Sequence, residues 1–487
     1  MAFTTPIFLF VFMPIFFIGY FLEDVLERKT ALKQLLIKIR AKDLFTIVMG
    51  FVFYWCAFFD SSIELVVYVV AVYLAGNILQ RYMDADKSKK RVDILFTLSI
   101  IAGVALLFYY KYFDFALNTI SNIFKVEFEK QNILAPLGIS FITFSAISYL
   151  ADIKMKKAKA GNFIDCCLYM TFFPKIVSGP IVLWRDFKGE ILNRVISEQN
   201  ILEGINRICI GFGKKVILAD MFGSYVSEIQ YATSGIDTPS AWLAAFFYMM
   251  QIYYDFAGYS DIAIGLSKIM GFDFKENFNF PYRSLSITEF WRRWHISLGT
   301  WFREYIYIPL GGSRRGMARN LMNLGVVFLV TGIWHGASWN YILWGIANGI
   351  VVIAERLMRD KEFYKKIPKV IKWAVTMLIV FFCWQLFRFT WMSDVIDNFL
   401  IMAGIEKSQS VFQTWRYYLD TRIVVLSVIG VFGSTILGEP KLQEKWKSFV
   451  KKPWGYALQE VALLFIMGLA IMFMLNSSYS PFIYFQY

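Results

Sequence analysis

The stretch "IKWAVTMLIVFFCWQLF", residues 371–387, carries one lysine at its second position and no other charge. A helix rises about 1.5 Å per residue, so about 20 such residues cross the roughly 30 Å of hydrocarbon in a bilayer. Runs of the same kind recur from end to end: "PIFLFVFMPIFFIGYF" (6–21), "ILFTLSIIAGVALLFYY" (94–110) and "VALLFIMGLAIMFML" (461–475). Only 18% of the 487 residues are charged and 57% are apolar, whereas an ordinary soluble domain is about 25% charged. The expected fold is an all-α polytopic membrane protein, a single transmembrane domain over residues 1–487 with about eleven to thirteen membrane segments. The first run lacks a basic leader and a small-residue cleavage site, so it reads as a retained helix.

A net charge of +13 raises the question of nucleic acid, but the basic residues gather in short loops. Arg28, Lys29, Lys33, Lys38, Arg40 and Lys42 form one cluster; Arg81, Lys87, Lys89, Lys90 and Arg91 a second; Lys154, Lys156, Lys157 and Lys159 a third. Two more lie between Arg356 and Lys369 and between Lys441 and Lys452. Such loops face the cytoplasm, which gives a topology with both chain ends outside. The charge is topological, and no nucleic-acid partner is expected. Cys56, Cys166, Cys167, Cys209 and Cys383 lie in or beside apolar segments without a CxxC pair. They read as packing residues, with neither a disulfide framework nor a metal site.

Two segments, "ILAPLGISFITFSAISYL" (133–150) and "YMTFFPKIVSGPIVLW" (169–184), contain Pro136, Gly138, Pro174, Gly179 and Pro180. They predict broken helices, tolerated where the backbone is buried in protein or lines a cavity. Residues 271–320 are too polar to span yet rich in aromatics. Ser286 followed by Glu289 predicts a capped helix start. Trp291, Trp294, Leu298, Trp301 and Tyr305 then recur at spacings of three and four, forming one stripe of an interfacial amphipathic helix. His295 adjoins that stripe and should face inward.

The chain has two histidines, His295 in "FWRRWHISLG" and His335 in "TGIWHGASWN". Counting from Asn323, His335 lies about 18 Å into an apolar segment, near the midplane. Ionisable residues at that depth are costly and mark function by default. Gly332, Gly336, Ala337 and Ser338 leave room there for a substrate chain or another helix, and Trp334, Trp339 and Asn340 are placed to line the same space. A neutral imidazole suits removal of a proton from a hydroxyl during acyl transfer. A histidine bridging helices is the structural alternative.

The runs "YYDFAGYSDIAIGLSKIMGF" (253–272), "ENFNFPYRSLSITEFWRRWHISLGTWFREYIYIPLGG" (276–312) and "TGIWHGASWNYILWG" (331–345) resemble the membrane-bound O-acyltransferase family. The likeness is densest over residues 249–349, in the branch serving bacterial polysaccharide O-acetylation, alginate included. "APLGISFITFSAISYLAD" (135–152) and "FFPKIVSGPIV" (172–182) resemble that branch too. This resemblance implies a helical core around a central funnel or tunnel, with broken and interfacial helices, where a cytoplasmic acyl donor meets an external acceptor. It implies His335 as general base and His295 as a positioning or second catalytic residue, at a position that is asparagine in many eukaryotic members. Arg292 and Arg293 are candidates to steer an anionic donor or to anchor lipid headgroups. Asp255 and Asp261 are placed either to orient a histidine or to pack helices.

The aromatic tail over residues 476–487, "NSSYSPFIYFQY", reads as an outer-side interface anchor. By resemblance, Tyr484 is a candidate acyl relay, needing a base to activate its hydroxyl. The function expected is O-acetyl transfer in the bacterial inner membrane, from acetyl-CoA as a substrate and with no bound cofactor, toward a polysaccharide. No GxSxG motif suggests a built-in esterase domain, so a separate extracytoplasmic acetyltransferase or esterase-like partner is expected beside membrane lipids. The alternatives are D-alanyl transfer to envelope polymers and a non-enzymatic transporter or flippase.

Overall fold

The computed structural model describes residues 2–27, 40–56, 62–86, 88–129, 131–136, 138–232, 235–405 and 413–476; they are helical, with no strand among them. Seven of their helices are long and apolar enough to cross a membrane: Ser62–Asp84, Lys89–Phe124, Met317–His335, Trp339–Met358, Lys369–Arg388, Thr421–Gly438 and Pro453–Asn476. A 20-residue ruler counts more segments because several apolar stretches are built from pieces. Ile139–Lys154 has 16 residues and Phe163–Thr171 has nine.

The chain forms two compact units. The first comprises residues 1–205 and 263–275, and both segments read as broken belong to it. Gly138 opens the Ile139–Lys154 helix at φ 73°, and a Cβ there would lie 2.6 Å from the Ile176 carbonyl oxygen. Phe163–Thr171 stops at Phe172, whose ψ of 101° precedes the short Phe173–Ile176 turn carrying Pro174. The backbone through Pro180 is buried, so its polar groups are covered by protein rather than lipid. Lys175 lies inside this unit at 4% exposure, donating to Ser145 Oγ at 2.8 Å with its ammonium 3.9 Å from the Tyr169 ring centroid.

The second unit, residues 206–262 and 276–487, holds both histidines. Its core helix comprises residues 238–262 of Thr238–Ile269, largely apolar with no preferred face and mostly buried, as expected of a helix surrounded by protein. A hairpin of Met317–His335 and Trp339–Met358 packs through glycine. A Cβ on Gly345 would meet the Phe328 carbonyl oxygen at 2.5 Å, and one on Gly332 would meet the Tyr341 carbonyl oxygen at 2.5 Å. Gly332, one of the small residues near His335, thus admits the neighbouring helix closely.

The single interfacial helix read from the aromatic stripe is two. Ile287–Arg293 begins at Ser286, whose side chain accepts from Glu289 N–H as the capping signature requires. It ends at Trp294, and Ile296–Phe302 begins after His295, which adopts the left-handed conformation at φ 45° and ψ 54°. Trp294, Leu298 and Trp301 are nevertheless buried, because the kink re-aims the second piece rather than unpacking it. Stripe counting assumes unbroken α geometry, and one left-handed residue is invisible to it.

Candidate active site

His335 is the last residue of Met317–His335, and the chain reverses through Gly336 to enter Trp339–Met358. The segment counted as continuous at the midplane thus ends at the histidine. Its ring is 6% exposed and packs against three others: Trp334 at 4.7 Å, Trp344 at 4.9 Å and Phe387 at 4.9 Å between centroids. The last two are nearly perpendicular, the geometry that aromatic quadrupoles favour.

His295 is 2% exposed, its ring edge-on to Phe256 at 4.6 Å. The kink that carries it is stitched to an extended segment by two backbone bonds, Ile296 N–H to Asn277 O and Asn279 N–H to Arg293 O, both at 2.9 Å. Asn277 also meets the imidazole directly, its Oδ1 lying 3.1 Å from His295 Nδ1. The same oxygen accepts from Ser297 Oγ–H at 2.9 Å, while Asn277 Nδ2 donates to Ser260 Oγ at 3.0 Å. Burial without a compensating charge pushes the imidazole down, to about 3, so the ring is neutral at physiological pH.

Both histidines line one cavity of about 490 Å³. The Trp334 ring lies 6.5 Å from His295, which with its 4.7 Å approach to His335 bounds the imidazole separation at about 11 Å. Leu324, Val327, Phe328, Thr331 and His335 line the cavity from one face of their helix, a face about 16 Å long at 1.5 Å per residue. Two exposed cations, Arg292 and Arg303, line it as well.

The remaining predicted residues divide. Arg293 is engaged elsewhere, by Glu289 at 2.9 Å and the Asn279 carbonyl at 3.1 Å. Asn340 Nδ2 donates to the Phe389 carbonyl at 2.8 Å, tying the hairpin to the end of Lys369–Arg388. Asp255 pairs with Lys215 at 2.7 Å, and Asp261 with Arg207 and Lys214. Those ion pairs brace the core helix, favouring the packing reading of both carboxylates. Tyr484 lies outside the described residues. Asn277, Ser260 and Arg303 were missed as site residues; the signal for Asn277 was a small amide inside the aromatic run "ENFNF". Among the described residues, no three His, Cys, Asp or Glu side chains converge as a metal site would require.

A cavity that gathers the chain's only two imidazoles suits proton transfer to and from a bound hydroxyl or thiol. Residues 9–361 match the family model of the membrane-bound O-acyltransferases. The chain belongs to that family. It is 33% identical to a probable alginate O-acetylase of Pseudomonas putida, with all of both chains covered. It is 31% identical to a peptidoglycan O-acetyltransferase of Helicobacter pylori, covering 83% of this chain and 80% of that one. A teichoic acid D-alanyltransferase of Bacillus subtilis is 30% identical over 59% of this chain and 73% of its own. This protein is a membrane O-acyltransferase, and family membership sets aside the transporter and flippase alternatives.

Proposed function

We propose that the protein transfers an acetyl group from cytoplasmic acetyl-CoA toward a polysaccharide outside the inner membrane. The observation that carries this reading is the cavity, which follows one helix face from near Leu324 to His335 and brings His295 and two arginines to the same space. Basic loops at Arg314–Arg315 and Arg356–Lys369 flank the hairpin in sequence. With both loops cytoplasmic, the turn after His335 points outward and both chain ends lie outside. A thioester donor then enters between Arg292 and Arg303, whose charge suits its phosphates, and its flexible arm follows the apolar face toward the imidazoles.

In the transfer, the acceptor hydroxyl oxygen bonds to the thioester carbonyl carbon and the carbon–sulfur bond breaks. His335 takes the hydroxyl proton and returns it to the leaving thiolate. His295 assists as the second imidazole. Tyr484 is the proposed intermediate acceptor, which hands acetyl to an extracytoplasmic partner protein. The acetylated polymers named for the Pseudomonas and Helicobacter relatives support a glycan acceptor.

Replacing His335 by alanine at equal membrane expression tests this. Base-labile acetate on envelope and secreted polymers should disappear while polymer export continues; unchanged ester would overturn the role of His335. The Bacillus relative favours one second reading, D-alanyl transfer. Purified protein supplied with acetyl-CoA or a D-alanyl carrier separates the two.

A further inference from the structure

The hydrogen-bond network behind His295 fixes which of its nitrogens carries the proton. Ser297 N–H can only donate, and it lies 3.2 Å from Asn277 Oδ1. That atom is therefore the carbonyl oxygen and not the amide nitrogen. The other end of the amide agrees, since its Nδ2 has Ser260 Oγ to donate to. The Ser297 hydroxyl lies 3.4 Å from His295 Nδ1 but donates to the same Asn277 oxygen at 2.9 Å, so Nδ1, 3.1 Å from that oxygen, holds a hydrogen. A neutral imidazole has one N–H, so Nε2 is a bare lone pair. Nε2 is buried and has no hydrogen-bond partner among the described residues, and the ring is part of the cavity wall. The left-handed backbone at His295 belongs to the same device. Such a conformation is uncommon in a non-glycine residue, and here it sets the ring against Asn277.

We propose that Asn277 is a positioning residue for acyl transfer: braced by Ser260 and Ser297, it holds His295 in the Nδ1–H tautomer and presents the Nε2 lone pair to a hydroxyl or thiol entering the cavity. The purpose assigned to this tautomer rests on the acyl-transfer reading, whereas the tautomer itself does not. The amide is suited to the task because it is neutral. An aspartate of the same size would favour the imidazolium, which donates from both nitrogens and leaves no lone pair. Ser260 sits on the core helix between Asp255 and Asp261, whose ion pairs hold that helix, so the chain of positioning runs from helix to serine to amide to imidazole.

The chain's two histidines make the test direct. In ¹⁵N-histidine-labelled His335→Ala protein, purified in lipid nanodiscs, the single remaining label reports His295. Nδ1 should resonate as a protonated nitrogen and Nε2 as an unprotonated one. A protonated Nε2 would overturn the proposal whatever the activity. In a His335→Ala background, Asn277→Ala should mix the tautomers and Asn277→Asp should protonate Nε2. In the otherwise native chain, each should lower kcat at least about tenfold while leaving the KM for acetyl-CoA within about twofold. The isosteric aspartate carries the test if the alanine variant does not fold. Unchanged kcat in both variants, with the expected tautomer in the parent, would overturn the positioning role. If the native chain transfers no acyl group yet shows the Nδ1–H tautomer, the function proposed above fails and the positioning proposal fails with it, while the tautomer assignment stands.

Discussion

His335 lies in a cage of aromatic rings, whereas His295 is gripped by a side-chain amide. The first closes a helix inside a glycine-packed hairpin and lies among Trp334, Trp344 and Phe387. The second sits on a strained kink, gripped through Asn277 by Ser260 and Ser297. Packing fixes where a ring is but says little about its protonation. A directed amide fixes both. One cavity thus holds an imidazole framed by three aromatic rings and one gripped by a directed amide.

That contrast breaks first at His335. Its loss by alanine substitution should lower the initial rate of acyl transfer by about 10²–10⁴-fold, the range for a general acid–base group. A loss below threefold, measured in vesicles with matched protein, would make His295 the principal base and invert the assignment. For His295 the informative replacement is asparagine, which tolerates left-handed backbone far better than alanine. His295→Asn should fold normally, by thermal melt in detergent, and lose about tenfold to a hundredfold in rate.

The pH dependence sharpens the same comparison. His295, with a pKa lowered from 6.5 to about 3, gains no proton as the pH falls through 6.5 and stays neutral until near 3. Arg292, Arg303, Tyr307 and His335 are the other titratable groups on the cavity wall. The ratio of native to His295→Asn rates should therefore be the same at about pH 5.5 and pH 7.5. A ratio that shrinks toward acid would mean that His295 titrates as an ordinary imidazole.

The hairpin supplies the packing counterpart. A Cβ on Gly345 collides with backbone at 2.5 Å and not with the end of a flexible side chain, so the helices must separate. Gly345→Ala should cost about 1–3 kcal/mol of stability, the usual range for overpacking, seen as a lower melting temperature. It should also reduce the rate by moving His335. An unchanged melt with unchanged rate would show the hairpin to be looser than its geometry.

Membrane class, the two histidines and the inward face of the aromatic stripe were all legible in sequence, because each follows from composition or period. The kink at His295 was not. Its cause is two backbone bonds to residues Asn277 and Asn279, up to 19 positions away in the chain, and no local pattern encodes a distant partner. The same holds for the carboxylates. Asp255 and Asp261 stand out in an apolar helix, but only the fold reveals that Lys215, Arg207 and Lys214 meet them. Sequence marks that a buried charge needs a partner without saying which one.

The adjacent pair Arg292 and Arg293 offers the smallest and most discriminating effect. Sequence treats them alike, as two cations of one interfacial turn. In the fold Arg292 lines the cavity, whereas Arg293 is spent on Glu289 and the Asn279 carbonyl. If the cavity admits a polyphosphate donor, removing Arg292 weakens an attraction felt by the donor alone, and one exposed cation contributes on the order of 0.5–1 kcal/mol. Arg292→Gln should then raise the KM for acetyl-CoA about two- to fivefold with kcat held, and the increase should fade at high salt as screening removes the native advantage. Arg293→Gln should leave KM within error and lower the melting temperature slightly, through the lost i,i+4 pair and loop contact. Equal KM shifts in both variants would indicate a diffuse basic surface in place of a directed entrance, and the donor's route past Arg292 would have to be abandoned.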